Sequence, residues 1–283
     1  MVLLFLNGLA LGVLLLVLSS GLALIFGLRD VVNFAHGAMY MFAAYLSFSV
    51  SSSTSFWVAL VFVPLVFAAA GVLLDRYGIR YLRDRDHLDM ILVTFGLMYV
   101  LTGVVQTVWG TQPRSITPPS GLDGTTSLLG TSYPTYRVFV VVLGLVVAAA
   151  LVLWLRRSTT GLYVRAATDY RHVANAVGID VDKVSATVVA VGMALAGLGG
   201  VLAGPYLSLS TDMGVNILVL SFIVVVTGGL GSIGGAMGAA ILLGMLNSFS
   251  ANHLPGFAAY VPYALMLTVL LFWPSGLAGR RAV

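Results

Sequence analysis

The chain has no cysteine and no glutamate, and charged residues of any kind are scarce. Of its 283 residues 8% are charged, whereas 59% are hydrophobic. The absence of cysteine excludes disulfides, thiolate metal ligands and thiol nucleophiles. A soluble domain carries about 25% charged residues, so this chain cannot cover a water-exposed surface. The composition predicts an all-α, polytopic transmembrane helical bundle that forms one domain, residues 1–283.

The motifs of common enzymes and of nucleotide sites are also missing. There is no GxxxxGK[ST] loop, HExxH pair or nucleophile elbow, and the glycine-rich run 228–235 lacks the lysine of a phosphate loop. This disfavours a membrane-embedded enzyme and predicts no cofactor. Ionisable residues hardly occur inside the apolar segments, which disfavours a self-sufficient secondary transporter. If the chain forms a passage, another chain must drive it.

Nine apolar segments predict eight or nine membrane spans, because most approach the ~20 residues that a span requires. The first charge is Arg29, so the first segment is predicted to be a span and not a cleaved signal peptide. Glycine, asparagine and histidine interrupt the second, seventh and eighth segments, any of which could be broken or re-entrant. The segments are 2–28, 31–50, 56–74, 90–109, 138–155, 184–207, 214–230, 235–251 and 257–274.

The distribution of lysine and arginine predicts the orientation. If the spans alternate with the N-terminus outside, one face carries all the basic residues except Arg114 and Arg137. The positive-inside rule assigns that basic face to the cytoplasm. The C-terminus and the turn-like run 228–235 are then cytoplasmic and the loop 110–136 is external. The net charge of +4 therefore indicates topology, not nucleic-acid binding.

One stretch, 156–183, cannot lie in lipid. Burying its eight charged side chains would cost ~2.5–3.5 kcal/mol each. Its inner part predicts one short helix with an apolar stripe, because apolar residues recur at three- and four-residue spacing. The stripe comprises Ala166, Tyr170, Val173, Ala174 and Val177.

The ends of this helix carry their own signals. Thr160 or Thr168 could cap its start, and Gly178 suits the left-handed residue after its end. Asp180 or Asp182 could cap the apolar helix that follows. Such a helix either rests on lipid headgroups or docks on a soluble partner.

A few polar residues stand out in the apolar segments, above all Asn33 and His36. Each could simply hydrogen-bond a neighbouring helix, or it could line a passage or its gate. The spacing alone leaves both interpretations open.

Residues 22–45, with the core Val32-Asn-Phe-Ala-His-Gly37, resemble the start of bacterial branched-chain amino acid ABC permeases of the LivH type. Four further stretches also resemble that family, namely 92–115, 161–184, 228–238 and 273–279. The resemblance implies an integral inner-membrane permease subunit of a binding-protein-dependent importer. Its partners would be a second permease, homologous or identical, two cytoplasmic ATPase chains that hydrolyse the ATP, and an external substrate-binding protein.

The resemblance also implies where the sites lie. The ATPase-coupling helix would comprise Arg165, Asp169, Tyr170, Val173, Ala174, Val177 and Gly178. The candidates for the translocation path or gate are Asn33, Phe34, His36 and Gly37. The chain departs from the family at Ala38, where glutamate is frequent, and at Trp273, where arginine is frequent. A permease for urea, or for amides or other amino acids, is therefore the alternative function.

Overall fold

A computed structural model describes residues 1–29, 31–78, 81, 85–128 and 130–278, without the side chains of Arg29 and Arg171. The elements in this part of the chain are α1 (Val2–Arg29), α2 (Ala35–Ser53), α3 (Phe56–Tyr77), α4 (His87–Trp109), β1 (Thr125–Leu128), β2 (Thr131–Pro134), α5 (Thr135–Arg157), α6 (Thr159–Asp169), α7 (Arg171–Ala176), α8 (Val181–Ala203), α9 (Met213–Gly228), α10 (Ile233–His253) and α11 (Val261–Phe272). The strands β1 and β2 form one antiparallel hairpin.

The predicted all-α membrane fold is confirmed. Each predicted span has a matching helix, and the two remaining helices, α6 and α7, occupy the polar stretch 156–183. Within the described residues, six helices are long and apolar enough to cross a membrane. Of the three segments suspected of a break, α2 and α10 are continuous, whereas α9 is only 16 residues long.

Helix α1 lies at the centre of the bundle. It packs against α5, α8, α9 and α10, and most of its side chains from Ala10 to Leu28 are buried. Its backbone comes close to α10, because a Cβ on Gly12 would lie 2.9 Å from the Cα of Ile241. Small residues permit such approaches where lipid gives no hydrophobic drive between helices. By contrast, α3, α4 and α5 expose most of their residues around this centre.

One end of the bundle carries the long loop 110–136. Arg114 forms a two-way backbone bridge with Leu209, with N···O distances of 3.0 and 2.8 Å. At the same end the Tyr136 hydroxyl donates to the carbonyl of Leu202 at 2.9 Å, and Arg137 donates to Asn7 Oδ1 at 2.5 Å. Both basic residues that the count assigned to the external face therefore lie at this end.

The opposite end of the bundle holds the segments next to most of the other basic residues. The last turns of α1 approach the α9–α10 turn, since a Cβ on Gly27 would lie 3.5 Å from the Cα of Gly231. Leu277, which follows α11, donates its backbone N–H to the Thr227 carbonyl at 2.8 Å. The predicted turn in 228–235 is confirmed, with positive φ at Gly229 and Gly231 (106° and 78°).

Candidate coupling surface

The polar stretch forms two short helices, so the prediction of one continuous helix is wrong. Helix α6 ends at Asp169 and α7 begins at Arg171, with Tyr170 between them in a non-helical conformation (φ −146°, ψ 69°). Threonine and aspartate are weak helix formers, and a carboxylate is unfavourable at a helix C-terminus. Thr168 and Asp169 therefore end α6 and let the chain turn before α7.

Neither threonine proposed as the N-cap has that role. The residue that caps α6 is Ser158, whose hydroxyl oxygen accepts from the Gly161 N–H at 2.8 Å. The chain folds back tightly here, since a Cβ on Gly161 would lie 2.5 Å from the Leu155 carbonyl oxygen. Glycine at this position thus allows α6 to lie directly against the end of α5.

The predicted end of the second short helix, α7, is confirmed. Gly178 is left-handed (φ 88°) and donates its N–H to the Asn175 carbonyl, while Ile179 donates to the Ala174 carbonyl, both at 3.0 Å. These two bonds define a Schellman motif. The Asp180 carboxylate then caps α8 by accepting from the Lys183 N–H at 3.1 Å, a bond that lowers the pKa of Asp180.

The predicted apolar stripe does not lie on one face. Ala174 is 3% exposed, whereas Tyr170, Val173 and Val177 are 71%, 59% and 70% exposed. Ala174 packs inward with Val164 and Ala167 of α6, in a cluster that includes residues of α1, α5 and α8. Val173 and Ala174 lie about 100° apart around the axis of α7, and only Ala174 faces the cluster. An arginine at Ala174 would therefore disrupt the chain's own packing.

The outward apolar residues of α6 and α7 form what we call the docking face. Its members are Leu162, Tyr163, Tyr170, Val173 and Val177, all of them exposed. Exposed charged or polar side chains accompany it at Arg165, Asp169 and His172. The guanidinium of Arg165 also donates to the Leu155 carbonyl in the last turn of α5, where a cation is favourable. This bond ties α6 to the end of a membrane span.

Two of the four translocation candidates form the start of α2. The side-chain oxygen of Asn33 accepts from the Ala35 N–H at 3.1 Å. Phe34 donates its backbone N–H to Thr94 Oγ1 of α4 at 3.3 Å, and its ring meets the edge of Phe95 at 5.9 Å. The half-buried Phe34 is thus held between α2 and α4.

The other two candidates lie within the helix packing. His36 is almost completely buried, and its Nε2–H donates to the Leu18 carbonyl of α1 at 3.2 Å. Its Nδ1 has no hydrogen-bond partner in the described part of the chain. Gly37 contacts α9 so closely that a Cβ there would collide with the Gly214 carbonyl oxygen. Phe34, His36 and Gly37 therefore join α2 to α4, α1 and α9, respectively.

A buried carboxylate was missed by the sequence reasoning. Asp75 follows the predicted apolar segment 56–74, but α3 continues to Tyr77 and Asp75 is buried in it. The only sequence signal is its position four residues after Gly71, on the same face of the helix. The described residues contain no group of three or more side chains that could hold a metal ion.

Apolar spanning helices around a buried central helix, with a surface of exposed apolar and charged side chains at one end, define a multi-pass membrane protein. The chain matches the family described as branched-chain amino acid transport system / permease component over residues 4–271. It belongs to that family. It is therefore a permease subunit of an ABC importer in the inner membrane, where ATP hydrolysis is the task of a separate subunit.

Individual relatives match along almost the whole chain. It is 28% identical over 293 residues to the high-affinity branched-chain amino acid transport system permease protein BraD of Pseudomonas aeruginosa, covering 98% of this chain and 95% of the relative. It is 29% identical over 294 residues to LivH of Escherichia coli K12, with the same coverage. It is 27% identical over 287 residues to a probable LivH of Methanocaldococcus jannaschii, covering 94% and 89%.

One solved structure shares the fold. It is PsaBC from Streptococcus pneumoniae in complex with Fab, with a TM-score of 0.51 and 14% identity, covering 95% of this chain and 91% of the matched chain. At that identity the likeness concerns the arrangement of helices alone.

Proposed function

We propose that the chain carries branched-chain amino acids across the inner membrane as one half of a pathway that a second permease, homologous or identical, completes. Two cytoplasmic ATPase chains drive the assembly and an external binding protein delivers the substrate. The observation that carries this proposal is the similarity to branched-chain amino acid permeases over 98% of the chain. The few ionisable groups within the spans agree with a passage that other chains drive.

In this proposal the N-terminus is outside and the C-terminus is cytoplasmic. The separation of the two ends supports this orientation. Arg114 and Arg137 lie with the hairpin at one end, whereas α6, α7 and the α9–α10 turn lie at the other. Basic segments collect on the cytoplasmic side, so the second end faces the ATPase.

The docking face is the proposed contact with the ATPase. Four of its five members are more than half exposed although their side chains are apolar or aromatic, namely Leu162, Tyr170, Val173 and Val177. Apolar residues with neighbouring charges fit a groove in a protein, where the apolar part is desolvated and the charges form a rim. Residues 158–180 would then transmit the movement of the ATPase to α5 and α8, between which they lie.

The start of α2 is the proposed gate or wall of the path. Phe34 joins α2 to α4, Asn33 accepts from the Ala35 N–H at the start of α2, and His36 and Gly37 fix α2 against α1 and α9. A small shift of any of these helices would move the partly exposed ring of Phe34. The four residues therefore act together, Phe34 by contact and the other three by holding α2.

Reconstitution in liposomes tests this function. The purified chain alone is expected to move no leucine, isoleucine or valine with or without an ion gradient. The full assembly with binding protein is expected to accumulate these amino acids only when ATP is supplied. Uptake by the lone chain would contradict the proposal, and an assembly that accumulates urea but not leucine would contradict the substrate class.

A further inference from the structure

Asp75 is a carboxylate buried inside a membrane helix, at the end of the bundle that carries the docking face. It is 3% exposed, and its Oδ1 accepts a hydrogen bond of 2.7 Å from the hydroxyl of Ser185, which is 2% exposed. Asp75 belongs to the last turns of α3 and Ser185 to the first turns of α8. The bond therefore joins two helices that are far apart in sequence.

The position of Asp75 is unfavourable for the stability of its own helix. A carboxylate near a helix C-terminus opposes the helix dipole, and a buried charge needs donors to offset its loss of water. The first turns of α8 supply such a donor at Ser185. Ionisable residues in membrane helices are costly and generally functional. We therefore expect Asp75 and Ser185 to have a role beyond packing.

Further along, α3 and α8 pack closely at small residues. A Cβ on Gly71 would lie 3.0 Å from the Cα of Ala190, and one on Gly197 would lie 3.2 Å from the Cα of Pro64. Packed helices of this kind can slide past each other by small shear movements. A hydrogen bond has a defined direction and length, so the Asp75–Ser185 bond opposes that sliding.

Helix α8 follows the docking face directly in the chain. The Schellman motif at Gly178 and the Asp180 cap connect α7 to α8 without a flexible linker. Ser185 lies five residues after that cap. A displacement of α7 is therefore transmitted to α8 at the point where α8 is bound to α3.

We propose that Asp75 and Ser185 are positioning residues for coupled transport, which bind α3 to α8 so that both helices move together when the ATPase displaces the docking face. This inference rests on the proposed function, since it requires an ATPase on that face. Without the bond, α8 slides along α3 and ATP hydrolysis proceeds with less transport.

The test measures amino acid taken up per ATP hydrolysed by the reconstituted full assembly. Ser185→Ala and Asp75→Leu are expected to lower this ratio roughly tenfold, the factor expected when one partner of a buried hydrogen bond is removed. Asp75→Asn keeps an acceptor oxygen for Ser185 and is expected to retain most of the ratio. Thr187→Ala is the matched control, because the hydroxyl of Thr187 donates only within its own helix, to the Lys183 carbonyl, and the ratio should not change.

A cysteine pair gives a second test that does not depend on a buried charge. The chain has no cysteine, so Asp75→Cys with Ser185→Cys introduces a single pair. The reduced pair should transport with a low ratio, and oxidation to the disulfide should restore it, because the covalent bond again moves α3 with α8. Oxidation that stops transport would overturn the inference, since it would mean that the two helices must separate.

The outcomes distinguish this inference from the function on which it rests. Normal uptake per ATP in both Ser185→Ala and Asp75→Leu overturns the positioning role and leaves the permease function intact. A wild-type assembly without ATP-driven uptake overturns the function itself. Equal loss of uptake and of ATP hydrolysis, at an unchanged ratio, also overturns the positioning role, because it is the result of a purely structural defect.

Discussion

Exposed apolar side chains occur in two regions of this protein, with different neighbours. The outer surfaces of α3 and α5 expose residues such as Leu65 and Val146 on spans with few charges. The docking face exposes Val173 and Val177 next to Arg165 and Asp169. Exposure alone therefore does not identify the environment. The neighbouring charges do, and they assign the first region to lipid and the second to water or a soluble partner.

The largest expected difference between the two regions is in membrane insertion. Val146 lies at the middle of α5 and is 58% exposed. Arginine there would cost about 2.5–3.5 kcal/mol on insertion scales, so Val146→Arg should strongly reduce the chain in the membrane fraction. Val173→Arg should leave the amount of the chain in the membrane fraction unchanged. Immunoblots of membrane fractions, with Val146→Leu as control, check this; equal amounts of both arginine variants would invalidate the comparison.

The second effect concerns ATPase association. Val173→Arg places a cation on the docking face, at a cost of about 2–4 kcal/mol if the face is desolvated against a protein. The variant should insert normally but lose the co-purified ATPase and uptake. Asn175→Arg is the matched control, because Asn175 is exposed on α7 outside the docking face.

The alternative interpretation of the docking face predicts a different result for the same variant. An arginine on a helix that rests on headgroups can extend toward the lipid phosphates and costs little. Normal ATPase association and normal uptake in Val173→Arg would therefore support a helix that only lies on the membrane surface.

A smaller effect is expected at Gly178, whose φ of 88° favours glycine. Valine in a left-handed conformation costs roughly 1–2 kcal/mol, so Gly178→Val should weaken ATPase association and uptake but not insertion. Gly121→Val is a close control, because Gly121 has a φ of 90° at the opposite end of the bundle. If both variants reduce ATPase association equally, the effect is general instability and not a change at the docking face.

The sequence predicted the apolar helices well because lipid imposes a narrow range of length and composition on a span, although in the described part of the chain only six of the nine are long and apolar enough to cross a membrane. It predicted the end of α7 equally well, because Gly178 and Asp180 signal through their own backbone and carboxylate. It could not predict that Ala174 faces inward while Val173 faces outward. That outcome depends on the cluster with Val164, which is a tertiary feature.

The burial of Asp75 and the contact of His36 could not be predicted either, because both depend on residues far away in the sequence. A carboxylate after an apolar run looks like the start of a loop, yet Asp75 is buried because Ser185, 110 residues later, donates to it. His36 was left open between packing and passage. Its contact with the Leu18 carbonyl depends on how α1 and α2 cross, which no local sequence pattern indicates.

The smallest expected effect is at the start of α6. Ser158→Ala removes the cap that accepts from Gly161, at a cost of about 1 kcal/mol. Amide exchange in 159–169 should accelerate while uptake falls only slightly. Ser158→Asp keeps an acceptor and should exchange like the wild type; unchanged exchange in Ser158→Ala would show that the cap contributes nothing.

The central claim is that the docking face lies in the cytoplasm and is covered by the ATPase. Since the chain has no cysteine, Val173→Cys can be labelled with an impermeant maleimide, alongside Ser127→Cys in the β1–β2 hairpin. In intact cells only Ser127→Cys should react. In inside-out vesicles Val173→Cys should react quickly without the ATPase and slowly with it. Labelling of Val173→Cys from outside the cell, or at one rate with and without the ATPase, would contradict the account.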